Sequence, residues 1–474
     1  MRPSRRRLAL AGLGGIALIA LAGVGLDLWR RMPAALPAPA AHVSVRLLQD
    51  IPVYAPPKGV TPRAVVVHFS DGDDGVPRAL VQAGAVVLPV DTESFRKAVA
   101  ARAIAEKQDC VYLAGDVGDL AIAAERALGM TDYLQPIFTG TGPGATMAYL
   151  SFGNAPANTL TGAIGAGFDN RIEMPIPFCP VPAMTRTAAG PWEAALDAPM
   201  QGRAILFAGA GDLARFQAMA GGNDTLTVEP DAGTPAEQIT AALDRLAPRG
   251  EGAALPVTDL PAQDATGAAA APRALAVIYS GDGGWRDIDM RIGEILQKDG
   301  LHVLGVDSLR YFWAQKSPGT IAADLSRLIE SADPGHELPV MLIGYSFGAD
   351  ILPFAVPLLP QAQRDRIGLT ALLAPGRTTD FRIHVSGWLG MQSGAADIPG
   401  AIARLAPATT LCVWGEKEGE ASACTDPALA GVAQLKTAGG HHFDGDYATL
   451  AQRLLDRFGT SDAALQHGQG KVAQ

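Results

Sequence analysis

The sequence predicts an α/β protein built as two doubly wound units in tandem, and three observations predict it. Short apolar runs rich in Val, Ile and Leu end in Ser/Gly/Asp turns, as buried parallel strands do. Helix-length segments such as Ile321–Ile329 separate the runs, and the landmarks recur in the same order in both halves. The 474 residues are 48% hydrophobic and 18% charged, enough apolar material for two cores and too much for general disorder. A formal net charge of −10 argues against a nucleic-acid partner, which requires a basic footprint.

The chain starts with an export pattern. Arg2, Arg5, Arg6 and Arg7 precede an uninterrupted apolar run from Leu8 to Leu26. The run is long for a cleaved segment and just long enough to span a bilayer. A loose twin-arginine signal, cleavage near Ala38-Pro39-Ala40, and an anchor flanked by Trp29-Arg30-Arg31 all stay open. Residues 1–40 are therefore expected to be a signal or membrane anchor. An oxidising destination makes two disulfides of the four cysteines, with three possible connectivities. Pairing within each half, Cys110 with Cys179 and Cys412 with Cys424, is the economical one. No Cys/His spacing suits a zinc site, so no metal is expected.

The repeat runs through the body. Residues 63–73 resemble 273–283, Ala85–Asp91 resembles Leu301–Asp307, and Cys110–Gly118 lines up with Pro339–Gly348. This places the units at 41–248 and 273–460. A Pro/Ala/Gly-rich linker is expected at 249–272, and a fraying polar tail at 461–474.

Chemistry concentrates in the second unit. Gly344-Tyr345-Ser346-Phe347-Gly348 follows an apolar strand and precedes a helix, the context of a nucleophile elbow. Small residues two before and two after let a strained serine project from the sheet, near a helix N-terminus. The base and its orienting acid should follow in the order Ser, Asp/Glu, His. The late strand Thr409–Gly415 leads into Glu416-Lys417-Glu418, which favours Glu418 as the acid with Glu416 as the alternative. A Cys412–Cys424 bridge would close this loop. Gly439-Gly440-His441-His442 then offers the base, His441 being favoured over His442. The oxyanion donors are expected from Phe347 N–H and from Gly281 or Asp282. His384 is read as a strand residue.

The first unit would carry Ala114-Gly115-Asp116-Val117-Gly118 at the elbow position, with aspartate for serine. Its histidines, His42 and His68, do not follow a late strand, so no triad can be completed. It is read as a degenerate unit serving binding, positioning or stability.

Ser280–Trp285, Asp307–Trp313, Gly344–Asp350 and Gly440–Asp446 together resemble the VirJ family of exported bacterial α/β-hydrolases. The two-unit layout is similar to its longer AcvB-type members. The resemblance implies a periplasmic serine hydrolase that removes lysine from lysyl-phosphatidylglycerol at the membrane surface. It also implies a link to virulence or type IV secretion components. Asp282, Asp350, Asp444 and Asp446 are candidate receivers of the cationic lysyl group, and Trp313 of a lipid; His442 would support the site. No cofactor is implied. The competing readings are a non-catalytic binding or scaffold protein and a general esterase or thioesterase.

Overall fold

The computed structural model describes residues 36–469 except 157, 180–181, 248–254, 265 and 384–393, with side chains to 459. The export run and His384 lie outside the described residues.

Two mainly parallel sheets organise the chain. The first contains β1 (Ala64–Ser70), β2 (Ala85–Asp91), β3 (Ile137–Thr141), β4 (Gly162–Ala166), β5 (Arg203–Ala208) and β6 (Leu226–Pro230). Its order is β6-β5-β4-β3-β1-β2. The second contains β7 (Val257–Leu260), β8 (Ala274–Tyr279), β9 (Leu301–Val306), β10 (Val340–Tyr345), β11 (Ile367–Leu373), β12 (Thr410–Gly415) and β13 (Ala433–Thr437). Its order is β7-β9-β8-β10-β11-β12-β13. Without β7 the two orders are the same, strand for strand. Apolar clusters cover both faces of each sheet, so every central strand is buried and reads as a nearly continuous apolar run.

The repeat reaches the sheet edge. β7 pairs antiparallel with β9, Val257 opposite Val306, and Tyr54 makes a single antiparallel bridge to Val87 on β2. The segment expected as a linker therefore supplies a strand. Four half-exposed residues on an edge need little apolar character, and Asp259 on β7 pairs with His302 at 2.6 Å. The C-terminus differs from expectation too. The helix Tyr447–Gln469 continues through most of the segment expected to fray, because no proline interrupts propagation.

Both disulfides join the expected partners, Cys110 to Cys179 and Cys412 to Cys424. The units also share a core, since Ile122 and Tyr133 of the first pack in a cluster of the second. Among the described residues, no helix is long and apolar enough to cross a membrane.

Candidate active site

Ser346 sits between β10 and the helix α1 (Phe347–Ala355) at φ 51°, ψ −115°. That strained conformation is held by close packing on both sides. A Cβ at Gly344 would fall 2.4 Å from the Gly348 carbonyl oxygen, and one at Gly348 would fall 2.2 Å from that of Tyr279. Both glycines are required by approach of backbone to backbone, which is the physical content of the spacing.

The serine meets the expected partners. His441 Nε2 lies 2.8 Å from Ser346 Oγ, and His441 Nδ1 lies 2.9 Å from Glu418 Oε1. The other carboxylate oxygen of Glu418 accepts the Gly415 N–H at 2.8 Å, locking the acid to the end of β12. Glu418 is 11% exposed and His441 45% exposed, so the acid is sheltered while the base faces the cleft. Glu416 points instead to solvent and pairs with Lys436. The glycine turn presents His441 by close contact: a Cβ at Gly415 would meet the Gly440 carbonyl at 2.2 Å. Lys417 N–H donates to the Gly439 carbonyl at 2.7 Å, joining the acid loop to the base loop. His442 lies beside the relay, its Nδ1 3.1 Å from the Tyr345 hydroxyl.

These groups line a cleft of about 680 Å³ together with Gly281, Asp282, Arg286, Asp287, Asp289 and Arg377. Gly281 packs directly on the serine, where an added Cβ would lie 3.5 Å from Ser346 Cβ. Its N–H is engaged by the carboxyl of Asp289, whose burial pushes its pKa well above the usual range. Asp282 N–H is therefore the better-placed second oxyanion donor. Arg377 holds the acid loop from the opposite wall through the Glu420 and Ser422 carbonyls and an ion pair with Asp426. Sequence patterns single out neither Arg377 nor Arg286. Tyr345 was legible only as the variable position of the elbow.

Four expected substrate contacts take other roles. Asp350 is buried beneath the elbow and accepts the Gly376 N–H at 2.7 Å, fixing the loop after β11. Trp313 is buried between the units; its indole N–H donates to the Met130 carbonyl at 2.9 Å, and Arg126 stacks over its ring at 3.4 Å. An aromatic near the end of a strand signals burial equally well against lipid or protein, and here the protein wins. Asp446 caps the last helix at Thr449, and Asp444 accepts the Asp446 N–H.

The elbow equivalent in the first unit also lies elsewhere than expected. Ala114–Ala127 is a helix, in which buried Asp116 pairs with Arg102 at 2.8 Å and with Arg46 at 3.2 Å. The matching turn is Gly140-Thr141-Gly142-Pro143-Gly144 after β3, where Gly142 has φ 53° and ψ −123°. A Cβ at Gly140 would strike the Gly144 carbonyl at 2.1 Å, as at Gly344. The shared ending Gly-x-x-x-Gly-Ala was a signal in the sequence. It is masked by the apolar run at Cys110, which resembles a strand in the sequence but forms none.

Residues 273–462 match the family described as bacterial virulence protein (VirJ). No curated protein matches the chain significantly. Solved structures similar to part of it include MenH from S. aureus, at 12% identity over 44% of this chain and 98% of that one, TM-score 0.32. An esterase (EaEST) from Exiguobacterium antarcticum is 14% identical over 43% and 94%, TM-score 0.31. Est1E from Butyrivibrio proteoclasticus is 13% identical over 40% and 89%, TM-score 0.29. Strand order, elbow and family match together make residues 273–462 of this chain a VirJ-family domain on an α/β-hydrolase fold.

Proposed function

We propose that the chain is an exported, periplasmic serine ester hydrolase that releases lysine from lysyl-phosphatidylglycerol at a membrane surface. The observation that carries the reading is the unbroken relay Ser346–His441–Glu418 opening into a cleft. His441 Nε2 takes the Ser346 proton as Oγ attacks the lysyl ester carbonyl. The oxyanion rests on the N–H groups of Phe347 and Asp282. Collapse breaks the ester C–O bond, and His441 returns its proton to the departing glycerol oxygen, giving phosphatidylglycerol. Water, deprotonated by His441, then attacks the lysyl-serine ester, and His441 returns that proton to the departing Ser346 Oγ as lysine is freed. Glu418 keeps the imidazole in the productive orientation throughout.

Asp282 and Asp287 on the cleft wall suit the two ammonium groups of a lysyl ester. The two disulfides fit an oxidising compartment. Ser346→Ala should cut lysine release from lysyl-phosphatidylglycerol vesicles by about 10³-fold or more while the fold persists. Unchanged turnover would sink the proposal. Fluorophosphonate labelling separates the alternatives. A wild-type chain that stays unlabelled would point to a scaffold, and one that labels yet leaves the aminoacyl-lipid pool unaltered to another ester.

A further inference from the structure

The two units enclose a second cavity of about 290 Å³ beside the cleft. Arg46, Tyr112, Gly118 and Ile122 of the first unit line one side, and Gly283, Arg286 and Leu309 of the second line the other. Gly283 and Arg286 line both spaces, so Arg286 stands at the partition between Ser346 and the inter-unit cavity. Its guanidinium folds back over Gly283, where a Cβ would come 2.5 Å from Nη2. Among the described residues Arg286 makes no direct salt bridge, though the carboxyls of Asp119 and Asp289 lie within electrostatic range of it. The cavity's other charges are committed. Arg46 is held by Asp116 and Asp119, and Asp307 caps the turn at Arg310. Desolvation raises the pKa of both Asp119 and Asp307 from the ordinary aspartate value, which weakens their competition for the cation.

A cation with no carboxylate in direct salt-bridge contact, at the mouth of a half-apolar space, is matched by an anion attached to an apolar group. We propose that this inter-unit cavity, with Arg286 at its mouth, receives the phosphodiester end of the ester's leaving group. The inference rests on the lysyl-phosphatidylglycerol reading and deepens it. The acidic wall of Asp282 and Asp287 then takes the cationic acyl end, Arg286 the anionic alcohol end, and the opposed charges fix which way the substrate lies across Ser346. It also gives the first unit a task that needs no nucleophile: it walls the subsite.

The test uses the full chain and two substrates: lysyl-phosphatidylglycerol in mixed micelles, and lysine methyl ester, which lacks the phosphodiester. The readout is the ratio of the two kcat/KM values. Arg286→Gln should lower the ratio about tenfold or more, with Arg286→Lys recovering part of it. An added Cβ at Gly118 meets nothing within 4 Å, so a side chain there has room. Gly118→Asp should lower the ratio by about threefold or more, whereas Gly118→Asn should stay within about twofold of wild type. A ratio unmoved by Arg286→Gln, or equal effects of Asp and Asn at 118, would overturn the proposal. If the wild-type chain releases no lysine from the lipid, the parent reading has failed. Calorimetry with glycerophosphoglycerol then decides the subsite: binding lost in Arg286→Gln supports it, and equal binding or none in wild type refutes it.

Discussion

The turn at Gly142 and the turn at Ser346 have nearly the same backbone, φ 53° against 51° and ψ −123° against −115°. One carries a serine hydroxyl and the other carries no side chain at all. Even the support beneath them corresponds. Four residues into each turn's helix, a side chain ties to the loop three residues past the next strand: Asp350 accepts from Gly376 N–H, and Thr146 donates to the Asp169 carbonyl. The sites diverge further along. Where the second unit has Glu418 and His441, the same offsets from β5 and β6 reach Gly211 and Thr234, and Thr234 merely caps a helix. The elbow turn is thus a feature both sheets share, whereas Glu418 and His441 stand on loops whose counterparts in the first unit carry a glycine and a helix cap.

The largest effect tests the loops. Glu418→Gln should lower kcat by about 10³-fold or more, because the imidazole loses its orienting partner. Glu416→Gln, at a solvated ion pair, should change activity by less than about twofold. Comparable losses in both would break the assignment of the acid.

The next concerns the first unit's helix that resembled an elbow. Burial pushes Glu125 up to about 9, with the Leu134 N–H donating to its carboxyl. A raised folded pKa means the contribution to stability is full below the unfolded value and is lost as pH rises toward 9. Keeping a proton at pH 7 against an unfolded pKa of 4.5 costs about 3 kcal/mol. Glu125→Gln should therefore raise the denaturation midpoint at pH 8 and flatten its decline between pH 5 and 9. A parallel pH profile in the variant would contradict this.

Smaller effects sharpen the shared scaffold. Asp350→Ala strands the Gly376 N–H and should cost about 1–3 kcal/mol in urea unfolding. Thr146→Ala leaves a carbonyl with a second lone pair and should cost about 1 kcal/mol. Reversal of that order would show that the two supports are not equivalent. The smallest outcome is the most diagnostic for the comparison. Gly142→Ser should fold, since Ser346 adopts the same φ, and should acquire no fluorophosphonate labelling in a Ser346→Ala background. Labelling there would mean that the first unit retains a base.

The sequence by itself carried the tandem repeat of parallel-sheet units and the serine of the elbow, and it narrowed the cysteine pairs, the acid and the base to a few alternatives. Each is written in local pattern: apolar runs, glycines forced by close backbone, and residues at fixed offsets after strands. The tertiary structure alone decided the rest. An edge strand of four residues, β7, lacks the apolar pattern of a buried one. Asp350, Asp116 and Trp313 have side chains suited to a site, yet their surroundings turn them into a loop support, an ion-pair partner and an inter-unit contact. Arg286 is the converse, an unremarked cation in the sequence that becomes a partition between two spaces only when the units meet. Burial and partnership arise from residues distant along the chain, and local sequence pattern does not carry them.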